Sequence, residues 1–134
     1  LEMIKEEGLA NIQRRQRVLG DATLAALLEL GFTPFVTTPH RRNYVVTAVL
    51  APPGVDTKQL VAVLQDSWGI TVTGGQGDYA GSLLRVGHVG SADYLDLAAI
   101  ITGVELALSE IGHAQTIGKG VARYTREIAE RTTQ

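Results

Sequence analysis

The stretch GSLLRVGHVG, Gly81 to Gly90, sets an arginine between two apolar residues, Leu84 and Val86. A guanidinium keeps its charge and is costly to bury without a partner. In an extended segment alternate side chains face opposite ways, so Leu84 and Val86 share one face while Leu83, Arg85 and Gly87 share the other. Two readings of Arg85 stay open: a solvated arginine on an open sheet face, or a fork for a ligand carboxylate or phosphate. Glycines at 81, 87 and 90 leave room around it for something else to approach. His88 could serve as a general base, a metal ligand or a packed core histidine. With no carboxylate or second histidine at ligand spacing, the structural role is the commoner one, and no metal site is expected. His40 and His113 read as isolated, solvated loop residues.

Other candidate chemistry is thinner. The run GGQGDYAG looks like a phosphate-binding loop, but a strand follows it, whereas a phosphate grip needs glycines that open a helix. It reads as a flexible turn. Ser67, Ser82, Ser91 and Ser109 lack the setting of a nucleophile elbow. Lys5, Lys58 and Lys119 lie in polar or helix-start contexts, not in an apolar pocket that would lower a lysine pKa. No nucleophile–base pair emerges.

The elements that must position Arg85 can be read from periodicity and punctuation. A helix is predicted to about Leu30, with Leu9, Ile12, Leu19, Ala22, Ala26 and Leu30 near one face and Gly31 as its stop. It opens in mid-pattern with no cap, which predicts a chain cut within a longer helix. NYVVTAVLA, Asn43 to Ala51, is the strongest strand signal, and Pro52, Pro53 and Gly54 end it. It is apolar on both faces, as expected of a strand whose outer side another domain covers. Asp56 is predicted to cap a helix over Thr57 to Ser67, with Gln59 completing a capping-box-like pair. Ile70–Thr73 and Leu83–Gly87 read as an antiparallel hairpin around the glycine-rich turn. Ser91 caps a helix carrying Leu97, Ile101, Val104, Leu108 and Ile111, and a last helix over Gly118 to Arg131 buries Val121, Tyr124 and Ile128. Helices segregated on one face of a small, mostly antiparallel sheet make an α+β fold.

Composition narrows the class. The 134 residues suit a single domain, residues 1–134, with 45% hydrophobic and 19% charged residues. A net charge of -2 offers no footprint for nucleic acid. Cysteine is absent, which removes disulfides and thiolate chemistry and fits a reducing, cytoplasmic setting. No apolar run approaches the roughly 20 residues of a membrane span, so no membrane partner is expected.

The tract from GITVTGGQGDYAG through LLRVGHVGSADYLDLAAIITGVELAL, preceded by APPGVDTKQLVAVLQDSWGI, resembles the C-terminal small domain of class V pyridoxal-phosphate aminotransferases. The likeness is to the alanine–glyoxylate and serine–pyruvate branch, which includes soluble hydrogenase small-subunit-like proteins. It also covers EEGLANIQRRQRVLGDATLAALLELG and IGKGVARYTREIAE, and the GGQG turn followed by RVGHVG is its more specific part. The resemblance implies a homodimeric parent that moves an amino group between a small amino acid, alanine or serine, and a 2-oxo acid, glyoxylate or pyruvate. It implies that Arg85 grips the substrate carboxylate, with His88, Gln76 and Gly77 supporting it. The pyridoxal 5'-phosphate and its Schiff-base lysine would belong to a missing N-terminal large domain, residues 1–30 forming the interdomain helix. The chain by itself is then expected to bind no cofactor and to be inactive. Arg41 and Arg42 depart from the small polar residues usual at that place in the family. A ferredoxin-like or ACT-like amino-acid-binding regulatory module is the rival reading, since it shares this order of elements.

Overall fold

The computed structural model describes residues 2–35, 46–87, 94–113 and 117–132. In chain order the elements are α1 (Glu2–Glu29), β1 (Thr33–Pro34), β2 (Val46–Leu50), α2 (Thr57–Trp68), β3 (Thr73–Gly74), β4 (Leu83–Gly87), α3 (Tyr94–Glu110) and α4 (Lys119–Thr132). The strands form one antiparallel sheet in the order β1-β2-β4-β3. The α+β architecture read from the sequence is the one observed.

The helix ends follow from local chemistry. The α1 helix stops where Gly31 takes φ +98, a left-handed value that only glycine adopts without strain, while the Phe32 amide turns back to the Leu27 carbonyl. Asp56 caps α2 by accepting from the Lys58 amide at 2.9 Å. Gly69 ends that helix in the left-handed region with its N–H on the Gln65 carbonyl. Ser91, the expected cap of α3, lies outside the described residues.

Register decides which faces are buried. Thr47 pairs with Val86 and Val49 with Leu84, so these four side chains share the inner face, and all four are buried. Against them pack Leu19, Ala22, Ala26 and Leu27 of α1, Leu60 and Leu64 of α2, and Leu97, Ile101, Val104 and Leu108 of α3. Each fully buried leucine or isoleucine contributes about 1.5–3 kcal/mol of transfer free energy, which makes this layer the main source of stability. On α4, Tyr124 is buried and its hydroxyl donates to the Tyr94 carbonyl; Val121 and Ile128 pack at the core's margin. The side chains of Leu9 and Ile12 in the predicted α1 stripe, and residues 43–45 of the first predicted strand, lie outside what is described.

Three features differ from the sequence reading. A two-residue strand, β1, joins the sheet edge beside β2. The hairpin's first strand is shorter and later than Ile70–Thr73, at Thr73–Gly74. The glycine-rich turn is held by its own bonds, a 3-10 turn over Gly77–Tyr79 in which the Tyr79 amide donates to the Gln76 carbonyl and the Ser82 amide to the Tyr79 carbonyl.

Candidate functional site

Arg85 stands at the centre of the outer sheet face. Its register partners are Ala48 on β2 and Thr73 on β3, both too short to cover it. The alternation read from the sequence holds here: Leu84 and Val86 are fully buried, Arg85 is half-buried and Gly87 is exposed. Leu83, on the outer face, is also buried.

The guanidinium is fixed but incompletely satisfied. Nη2 donates to the Gly74 carbonyl at 3.0 Å, which ties the side chain across to β3. Nε is buried and has no hydrogen-bond partner among the described residues. A buried donor left unmade costs about 1–3 kcal/mol, and more on a charged group. An oxyanion on the outer face would meet the guanidinium, and a planar fork suits a carboxylate at two points.

The anchoring carbonyl is itself crowded into place. A Cβ on the next residue, Gly75, would run into the Tyr79 carbonyl oxygen and lie 2.8 Å from the Leu83 Cβ. Glycine at 75 therefore lets the 3-10 turn fold tightly against β3 and β4. Gln76 and Gly77 lie in this turn, both exposed, with Gly77 at φ +59. Among the described residues no hydrogen bond links either of them to Arg85. His88, His40, Arg41 and Arg42 lie outside the described residues.

The remaining candidates fall elsewhere. Lys58 and Lys119 are exposed in the first turns of α2 and α4. His113 is not the solvated loop residue expected. It is half-buried just beyond α3, its amide donates to the Leu108 carbonyl at 2.7 Å, and with Pro52 and Pro53 it lines a cleft of about 310 Å³. The chain reversal at Gly112, φ +99, turns it back against the protein. Among the described residues no group of three His, Cys, Asp or Glu could hold a metal ion, and no helix is long and apolar enough to cross a membrane.

Sequence reasoning missed Glu105. This carboxylate is 4% exposed, and accepts from the Gly118 amide at 2.7 Å and the Val121 amide at 2.8 Å. It thus binds the open N-terminal end of α4 from the middle of α3. A single charge at an otherwise apolar helix position was the available signal.

No family model matches the chain. It is 35% identical over 130 residues to the serine–glyoxylate aminotransferase of Methylorubrum extorquens, covering 97% of this chain and 32% of that protein. It is 34% identical over 122 residues to the serine–glyoxylate aminotransferase of Arabidopsis thaliana, covering 91% of this chain and 30% of that protein. Among solved structures, it superposes on the pyridoxamine-pyruvate aminotransferase of Mesorhizobium loti with a TM-score of 0.84 at 26% identity, over 96% of this chain and 33% of that one. The chain spans about a third of the length of the curated relatives that it matches. These matches do not favour a ferredoxin-like or ACT-like regulatory module.

Proposed function

This chain belongs to the class V aminotransferase family, as a C-terminal portion of it, and on that premise we propose that it is the substrate-carboxylate-binding domain of a pyridoxal-phosphate-dependent transaminase. The parent moves an amino group between a small amino acid, alanine or serine, and a 2-oxo acid, glyoxylate or pyruvate. The relatives' own names, serine–glyoxylate and alanine–glyoxylate aminotransferase, support that substrate class. The observation that carries the reading is the buried, unpartnered Nε of Arg85 on the sheet face opposite the core.

Arg85 acts by holding and orienting. Its free edge takes the carboxylate that amino donor and oxo-acid acceptor have in common, so one grip serves both half-reactions. With the carboxylate fixed at two points and the guanidinium fixed through Gly74, the amino acid's rotation is restricted. Holding a reactant in place removes translational and rotational freedom that would otherwise have to be lost on the way to the transition state. Closure of the outer face by the rest of the parent excludes water and strengthens the ion pair.

Lys58 and Lys119 are exposed at helix starts, which supports a reading in which the Schiff-base lysine belongs to the rest of the parent. In this reading pyridoxal phosphate supplies the electron sink from a large domain, and residues 1–30 lead into the small domain from it. The family resemblance also supports a homodimeric, cytoplasmic parent.

The test is Arg85→Lys in the parent enzyme. An ammonium cannot reproduce the planar two-point grip. Catalytic efficiency should fall on the order of 30- to 1000-fold, the equivalent of about 2–4 kcal/mol, similarly for every α-amino acid used. The cofactor's absorbance should be unchanged. Near-normal efficiency, or loss of cofactor in place of substrate affinity, would show that Arg85 does not bind the carboxylate.

A further inference from the structure

A second basic site lies away from Arg85, between α1, the start of α3 and the end of α4. Asn11, Arg14, Arg15 and Val18 follow one another at helical spacing along α1 and form one wall of a cleft of about 400 Å³. Tyr94 and Arg131 close it from α3 and α4. Arg15 is half-buried, and its Nε is buried with no hydrogen-bond partner among the described residues. Arg131 reaches the cleft already oriented by two carboxylates, with Nη1 on Asp21 and Nε on Glu127, each at 3.0 Å.

We propose that this cleft binds a phosphate group, as inorganic phosphate or as the phosphate of a small monoester. Three arginines line one concave site, and one of them, Arg15, carries a buried Nε without a hydrogen-bond partner among the described residues. A planar carboxylate is satisfied by one arginine fork, whereas a tetrahedral dianion can accept from several guanidinium groups converging from different elements. Tyr94 and Asn11, which also line the cleft, are residue types that can add neutral donors. Asp21 and Glu127 do not fill this role: they hold Arg131 in place and leave the Arg15 Nε unmatched. The cleft is separate from the sheet face that carries Arg85, so this proposal goes beyond the transaminase reading and does not depend on it.

The test is a titration of the isotopically labelled 134-residue chain with sodium phosphate at low ionic strength, followed by backbone amide shifts. Saturable 1:1 binding is expected, with a dissociation constant of about 1 mM or tighter and with the shifts centred on Asn11, Arg15 and Tyr94. Acetate at matched ionic strength should bind at least ~10-fold more weakly. Arg15→Gln should weaken phosphate at least ~10-fold, while Arg85→Gln leaves it unchanged. Should Arg15→Gln fail the circular-dichroism check of folding, Arg15→Lys takes its place, with a weakening of at least about threefold expected. Non-saturating or scattered shifts, equal binding of acetate, or affinity that survives at Arg15 and falls at Arg85 would each overturn the proposal.

Discussion

Glu105→Gln changes one atom and should cost the protein a measurable share of its stability. The carboxylate is 4% exposed and its two oxygens serve two different amides, Oε1 that of Gly118 and Oε2 that of Val121. An amide side chain keeps one acceptor and turns an NH₂ toward the other backbone N–H. One hydrogen bond to a charged group is lost, worth about 1.5–3 kcal/mol, and a buried donor is left facing a donor. The favourable charge at the positive end of α4 goes too, worth about 0.3–1 kcal/mol. Relief of the carboxylate's desolvation offsets part of this, leaving a net loss of about 2–3 kcal/mol. For a domain of this size that is a drop in Tm on the order of 6–12 °C. Urea unfolding followed by circular dichroism measures it. Hydrogen exchange at the Val121 amide should accelerate by more than the global loss if α4 is freed first. A change under about 0.5 kcal/mol would refute the claim that Glu105 anchors α4.

Gly75→Ala should destabilise by about 1–3 kcal/mol, since the added Cβ meets the backbone carbonyl of Tyr79. Because it displaces the strand that holds Arg85, it should also weaken substrate in the parent, and thermal unfolding with steady-state kinetics checks both. Burial pushes the Glu127 carboxyl up, but hydrogen bonds from Arg131 and Arg123 outweigh it and hold the pKa below the ordinary glutamate range. A lowered folded-state pKa gives stability that is complete above the unfolded value and lost as the pH falls through the folded one. Glu127→Gln should therefore flatten the acid limb of a stability–pH curve, measured by urea unfolding from neutral pH into the acid range. The chain mixed with pyridoxal phosphate should form no stoichiometric, borohydride-trappable adduct on one lysine, as mass spectrometry would show.

Strong local signals carried most of the fold. The valine-rich run, the glycine stops at 31 and 69 and the Asp56 cap are each decided within a few residues, and they reappear as strand and helix ends. The face of Arg85 followed from alternation alone. The missed features depend on distant partners. β1 is two residues long and includes a proline, and it exists because β2 offers an edge. Glu105 gains its meaning from amides 13 and 16 residues later. Arg15 shares a cleft with Arg131 only because α4 is packed beside α1.

The central claim is that Arg85 meets a carboxylate, and it is tested most directly by pairing the substitution with a change in the ligand. Alanine and alaninamide differ at that group alone. In the wild-type parent, alanine should be used more efficiently than alaninamide by about 30-fold or more. Arg85→Lys should lower the efficiency with alanine while leaving alaninamide nearly untouched, so that the preference collapses to within a few fold. If Arg85→Lys lowers both substrates by the same factor, the arginine supports the protein or the cofactor without touching the carboxylate, and the account of the site is wrong.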